Sequence, residues 1–264
     1  MLGLIKNTNE QYHASEGISN STLGLVEESI SNYKWAKEIP TVTNSGLTIG
    51  SATHALVLEG RGVYNEEYDV MPKIDKRTKE GKAALALFMA TKGDKEILSK
   101  DDGDLVEGMK KSIDAHPTAS ALLSGGTPEQ SIYWTDKETG ELCKMRADYL
   151  KEDQRVIVDL KTTSDIDNIE KSIVNFGYDR QAAFYKEGFE QHFGKELEAF
   201  IFVFVSKEKS LGRHRVRVIQ LCEDDMEQGK FKWKVALSRI HAAKMEDNFI
   251  EIETISLPAW SRRK

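Results

Sequence analysis

The stretch Val156-Ile157-Val158-Asp159-Leu160-Lys161-Thr162-Thr163 constrains this chain more than any other. Its apolar start predicts a strand that ends in an acid and a lysine two residues apart. On a strand, residues i and i+2 point to the same side. Asp159 and Lys161 therefore share a face, and the Leu160 carbonyl lies between them. A second acid, Asp148, falls near the end of the preceding strand candidate, within Arg146-Ala147-Asp148-Tyr149. A turn separates the two strands, so both acids are expected to converge at one sheet edge.

The order of elements along the chain sets the class. Residues 1–18 read as irregular. Ser19 or Ser21 is placed to cap a helix running to about Lys37, with Leu23, Val26, Ile30 and Tyr33 on one face and Pro40 as its breaker. A second helix is expected from near Leu47 to Gly60; its Gly50, Ser51 and Ala52 permit close backbone approach. Residues 61–75 read as a loop with a short extended piece at 68–71. Residues 76–92 and about 103–115 pattern as amphipathic helices, and Pro117 opens another short one. Three strands follow, at 129–135, 143–150 and 156–161, the first two joined by a hairpin-like turn at Asp136 to Glu141. Helices at 166–175 and 178–193, a buried strand at 199–206, an edge strand at 214–221 and a long helix at 223–245 complete the pattern. This order predicts one α/β domain, a central mixed β-sheet flanked by helices with an N-terminal helical elaboration. Its expected parts are 1–125, mainly helical; 126–222, the sheet-bearing core; and 223–264, a C-terminal helix and tail.

Composition excludes several classes. No apolar run approaches the roughly 20 residues needed to cross a bilayer. The N-terminal Met1-Leu2-Gly3-Leu4-Ile5-Lys6 lacks the pattern of a signal peptide, so a cytoplasmic location is expected. Two cysteines, Cys143 and Cys222, cannot form a four-cysteine metal site within one chain. Both fall in strand-like runs and are expected as buried free thiols. The six histidines form no HxxxH or HxH pair. A net charge of −6 argues against non-specific coating of nucleic acid. It leaves room for an enzyme that confines positive charge to one groove.

Two carboxylates, a backbone carbonyl and a nearby ammonium meet the needs of magnesium-assisted phosphodiester hydrolysis. Magnesium prefers hard oxygen ligands, and a lysine offsets charge on the reacting phosphorus. An Asp-x-Lys tripeptide alone is weak evidence, since about one is expected by chance in a chain of this composition. Its context adds candidates. Arg146 alternates with Asp148 and is read as a phosphate contact or as a charge partner for Asp148. Glu129 opens the first strand and is read as a third acid or as a solvated strand end. Gln181 and Tyr185 lie at i and i+4 on one helix face, in reach of a phosphate or base or simply at a core boundary. His54, among small and apolar residues, is a candidate ligand or a packed core histidine.

The pattern resembles the PD-(D/E)XK nuclease superfamily, in the branch of exodeoxyribonuclease VIII (RecE) and the RecB-type nuclease domain. The residues that carry the resemblance are Gly50-Ser51-Ala52-Thr53-His54-Ala55, Glu129, Arg146-Ala147-Asp148-Tyr149, Asp159-Leu160-Lys161-Thr162-Thr163, and Gln181 to Tyr185. They span roughly residues 45–205 in the family's order. Ile18-Ser19-Asn20-Ser21 and Leu257-Pro258-Ala259-Trp260 are also similar to the RecE branch. The iron–sulfur members need four cysteines, and this chain has two.

The resemblance implies a restriction-endonuclease-like core over 126–222. It implies His54, Asp148 and Asp159 as metal ligands with the Leu160 carbonyl, and Lys161 as the catalytic lysine. Glu129 is implied as an acid near the metal, and Gln181 and Tyr185 as a substrate-positioning pair, with Arg146 on the DNA. The cofactor implied is Mg2+, with Mn2+ as a substitute. The implied activity is 5′→3′ exonuclease action on double-stranded DNA ends in a phage or prophage recombination pair. It leaves 3′ overhangs for a RecT-like single-strand annealing protein. The branch also implies a closed homo-oligomeric ring, a tetramer with a trimer as runner-up. A structure-specific or restriction-type endonuclease would use the same site, and a non-catalytic DNA-end binding module would keep the same fold.

Overall fold

The structure, a computed structural model, describes residues 3–36, 45–75, 77–250, 252 and 254–261. The first half of the chain carries β1 (Gly3–Ile5), α1 (Asn9–Ala14), α2 (Asn20–Glu28), α3 (Ile30–Trp35), α4 (Ser45–His54), α5 (Arg61–Glu67), β2 (Tyr68–Val70), α6 (Lys79–Thr91), β3 (Glu96–Leu98), α7 (Lys100–Asp114) and α8 (Pro117–Leu122). The second half carries β4 (Thr127–Thr135), β5 (Leu142–Lys151), β6 (Val156–Thr163), α9 (Ile169–Phe176), α10 (Tyr178–Phe193), β7 (Ala199–Ser210), β8 (Arg213–Gln220) and α11 (Glu223–Glu246). Six strands form one sheet in the order β1-β4-β5-β6-β7-β8. Only β6 and β7 pair in parallel within it; the other neighbours are antiparallel. The expected mixed sheet between helices is what forms.

Helices cover both faces, so the central strands are apolar on both sides. On β7, Phe200, Phe202 and Phe204 pack into one core with Phe184, Phe189 and Trp233, while Val203 and Val205 pack into the other with Leu56, Val106 and Met109. Each fully buried side chain of this size contributes about 1.5–3 kcal/mol. Helix α7 shows how local sequence serves this layering. Ser99 caps it by accepting the Asp102 N–H, and Asp101 and Asp102 lie in its first turn, where the helix dipole favours acids. Val106, Met109 and Ile113 then fall on one face and are completely buried.

Several expectations need correction. Within the segment read as irregular, 1–18, the described residues from Gly3 on are ordered: β1 pairs with β4 and takes the sheet edge, and α1 follows with a capping box at Thr8 and Gln11. The helix expected from Ser19 to Lys37 is two helices, because Ser29 turns extended (φ −164°, ψ 143°) and caps α3. Lys37 and Pro40 lie outside the described residues, as do Arg262, Arg263 and Lys264. The presumed loop at 61–75 contains α5, and β3, which pairs in parallel with β2, was not foreseen. Cys143 is buried, but Cys222 is exposed at the start of α11, where the strand has already ended. Among the described residues, no helix is long and apolar enough to cross a membrane.

One irregularity positions everything that follows. β6 pairs with β7 along its whole length, from Val156 to Thr163. It pairs with β5 only at Tyr149–Val158, Leu150–Ile157 and Lys151–Val156. Beyond Val158 the two strands splay into a fork. The alternation of faces on β5 slips at the same place. Ala147 packs on the α10 side and Tyr149 on the α7 side, although two residues apart they would share a face in a regular strand. Asp148 sits at the slip.

Candidate active site

Side chains from two elements, β5 and α4, converge on the backbone N–H and C=O of Leu160, inside the fork. Asp148 Oδ2 accepts the Leu160 N–H at 2.8 Å, supplying the partner that a continued ladder would have given. The Leu160 carbonyl lies 2.7 Å from His54 Nε2. A carbonyl only accepts, so Nε2 carries the proton. His54 Nδ1 then faces the acids, 3.6 Å from Asp148 and 3.9 Å from Glu129. Helix α4 reaches this depth because its residues are small. A Cβ on Gly50 would lie 3.8 Å from Thr162 Oγ1, and Ala52 and Thr53 are completely buried. The helix changes to a π-helical turn, Ala55–Glu59, directly after His54, an irregularity frequent at functional sites.

Glu129 enters from β4. Pro128 pairs with Tyr149 and Gln130 with Ala147, so Glu129 stands across from Asp148. Like charges facing across strands repel. Glu129 also holds φ 54°, the left-handed region that costs a non-glycine residue stability. Strain and repulsion at one point are tolerable where a cation sits between the acids. Arg146 supplies part of that charge: its Nε donates to Glu129 at 2.6 Å. Its partner is therefore Glu129 and not Asp148, and its buried Nη1 has no hydrogen-bond partner among the described residues.

Asp159 and Lys161 lie on the α10 side of the same peptide. Lys161 Nζ is 2.6 Å from Asp159 Oδ2, and Gln181 Nε2 donates to Asp159 Oδ1 at 2.6 Å. Asp159 is completely buried. The Lys161 ammonium also sits 4.9 Å from the centre of the Tyr178 ring, a cation–π contact. Gln181 and Tyr185 were expected to face DNA. Both are buried. Gln181 spends its amide on Asp159, and Tyr185 is enclosed beside the Arg146 backbone. They support the site from behind.

The protonation pattern follows from this crowding. Burial alone would lower the His54 pKa, but Asp148 and Glu129 outweigh it and raise it to about 9. Burial, then the neighbouring Asp159, pushes Asp148 up to about 7. Burial would raise Glu129, but His54 and Arg146 hold it low. Burial would lower Lys161; Asp159 and Asp148 raise it instead.

His54, Glu129 and Asp148 each offer a ligand atom, all within 4.8 Å of one another. Two carboxylates and an imidazole suit a divalent cation such as Mg2+ or Mn2+, and the imidazole favours the latter. Anchoring of Nε2 on Leu160 would orient Nδ1 toward the ion. The compact cluster therefore contains Glu129, where the sequence reading put Asp159. Asp159 is held apart: Gln181 donates to its Oδ1 and Lys161 forms an ion pair with its Oδ2, an oxygen that takes no hydrogen bond among the described residues.

A cavity of about 470 Å³ opens from this cluster. Its floor is Glu129, Arg146 and Asp148, and one wall is the segment from Lys6 to Tyr12. Asn7 pins that segment to β4 through Tyr133 (3.0 Å) and Ser131 (2.6 Å), and Lys144 binds the Tyr12 and Ser15 carbonyls. No periodic signal marks these residues in the sequence. Tyr178 was also missed, though it stands three residues before Gln181 and so shares its helix face.

The model of a PDDEXK-like domain of unknown function (DUF3799) matches residues 21–250. A candidate exonuclease from Eubacterium rectale has a similar solved structure, with a TM-score of 0.62, 17% identity, and coverage of 96% of this chain and 97% of that one. A phage-related exonuclease from Haemophilus somnus matches at a TM-score of 0.34 and 14% identity, over 75% of this chain and 95% of that one; the likeness of fold rests on the first alone. No curated protein matches the sequence.

Proposed function

The chain belongs to this PDDEXK-like family, and from that premise we propose that it is a Mg2+-dependent 5′→3′ exonuclease acting on double-stranded DNA ends. The observation that carries the reading is the convergence of Asp148 and His54 on the Leu160 peptide, with Glu129 beside them and the Asp159–Lys161 pair directly behind. His54, Glu129 and Asp148 would hold the metal. When bound, it supplies Lewis acidity toward the scissile phosphate. Lys161 offsets the charge that grows on the phosphate oxygens as water adds to phosphorus and the bond to the leaving 3′ oxygen breaks. Asp159 holds the Lys161 ammonium in place, and Gln181 holds Asp159. A cation entering near Asp159 would compete with Lys161 for Oδ2. Arg146 keeps one buried N–H to offer a phosphate.

Polarity, the recombination role with a RecT-like annealing partner, and the closed tetrameric or trimeric ring rest on the RecE resemblance. A ring built of head-to-tail contacts also reconciles a net charge of −6 with prolonged contact to DNA.

The test is digestion of a linear duplex labelled at one 5′ or one 3′ end, with Mg2+, beside a closed circular duplex. Progressive release of the 5′ label with the circle intact is expected. Cutting of the circle would make the protein an endonuclease. End binding without hydrolysis would make it a non-catalytic module.

A further inference from the structure

We propose that Phe176 and Tyr178 form an aromatic platform on which a base of the bound strand stacks, Phe176 offering the open face. This rests on the nuclease reading and adds what holds the strand beside the cleaved phosphate. Tyr178 connects the two functions. One contact of its ring is the Lys161 ammonium, at 4.9 Å. Others are Phe202 at 5.6 Å and Phe204 at 6.0 Å, inside the core. A fourth is Phe176, at 5.6 Å with the planes inclined by 34°. The aromatic series thus runs from the core, past the lysine, to the surface.

It ends on an exposed ring. Phe176 is 64% exposed, and Val174, on the same last turn of α9, is 67% exposed. The placement is built into the backbone. Gly177, at φ 62°, is the one residue between α9 and α10 and caps both, leaving the two rings side by side. A Cβ there would come within 2.8 Å of the Arg180 guanidinium, so the joint is closely packed.

The neighbouring chemistry selects the occupant. An ammonium attracts a phosphate, and an open aromatic face two ring contacts away attracts a flat π-system. That combination describes a nucleotide rather than an apolar peptide. With Lys161 4.9 Å from the Tyr178 ring and that ring 5.6 Å from Phe176, the two ends lie within about three base steps, at about 3.4 Å of axis each. Stacking requires no base-edge hydrogen bonds, so the platform tolerates any sequence.

The experiment uses the full chain with short linear duplexes carrying 2-aminopurine near one end. Binding fluorescence is read in Ca2+, and KM and kcat in Mg2+, for wild type, Phe176→Ala and Phe176→Trp. Phe176→Ala should raise KM by about tenfold with kcat nearly unchanged, and should lose the stacking quench; Phe176→Trp should keep both. Unchanged KM and quench in Phe176→Ala, with wild type hydrolysing normally, would overturn the platform and leave the nuclease reading standing. A quench that depends on Phe176 in a protein that hydrolyses nothing would keep the platform and remove the nuclease reading. A lower assembly mass in Phe176→Ala with the quench intact would assign the face to a second copy of this chain and overturn the proposal.

Discussion

The two sides of β6 at Leu160 are built from similar residues and compensate their acids differently. On the α10 side, Asp159 is matched by Lys161 and Gln181, and Lys161 rests on an aromatic ring. On that side the chain itself compensates the charge of Asp159. On the α4 side, Glu129 and Asp148 face one another across two strands, with His54 and Arg146 as partial compensation and Glu129 in a left-handed conformation. Here the compensation is of a kind a divalent cation can replace: the proton that Asp148 and Glu129 hold on His54 would give way to a metal at Nδ1. On the proposed reading the α4 half would hold the metal, while the α10 half holds a fixed cation, Lys161.

The largest effect that tests this contrast comes from removing the principal groups. Asp148→Ala, Asp159→Ala and Lys161→Ala should each reduce nucleotide release by at least about 10²–10³, with the circular dichroism spectrum retained. The sides separate in metal dependence. More metal should partly restore a variant on the α4 side and leave Lys161→Ala unimproved. Near-wild-type turnover in any folded single variant would remove that residue from the scheme.

His54→Ala should have the next largest effect, raising the Mg2+ concentration for half-maximal activity by roughly 10–100-fold. A packed core histidine would instead lower Tm and leave the metal titration unchanged. Glu129→Gln separates strain from charge. It keeps the left-handed backbone and removes the anion that His54 and Arg146 stabilise, so Tm without metal should fall and the gain in Tm from Mg2+ should shrink. An unaltered metal response would show that Glu129 is only the partner of Arg146.

The smallest effect belongs to the α10 side. Gln181→Leu leaves a buried oxygen of Asp159 without its donor, which costs about 1–3 kcal/mol. Stability should fall by that amount in urea unfolding, with the metal titration unchanged. A direct role on DNA would show instead as a raised KM at unchanged stability.

What the sequence disclosed follows the same division. The strand at Val156–Thr163 was legible because a long apolar run ends in a charged pair, and two-residue periodicity placed Asp159 and Lys161 on one face. Asp148 was legible because a short turn returns its strand to the same edge. Glu129 was only half legible: its position at a strand start was visible, but nothing local signals a left-handed glutamate. Gln181 and Tyr185 were correctly grouped by their i, i+4 spacing. Spacing does not say whether a face points to solvent or into the protein, and both turned inward. The wall from Lys6 to Tyr12 was invisible. A three-residue edge strand has no room for a pattern, and its hold on the sheet comes from distant Tyr133, Ser131 and Lys144.

The most direct test of the central claim is the change in Tm on adding Mg2+ or Mn2+, compared between wild type, Asp148→Asn and Lys161→Ala. Metal at a hundredfold excess over its Kd adds about 2.7 kcal/mol to the folded state, several degrees in a chain of this size. The shift should appear in wild type and in Lys161→Ala and be largely lost in Asp148→Asn. A full shift in Asp148→Asn, or none in wild type, would contradict a metal centre at His54, Glu129 and Asp148.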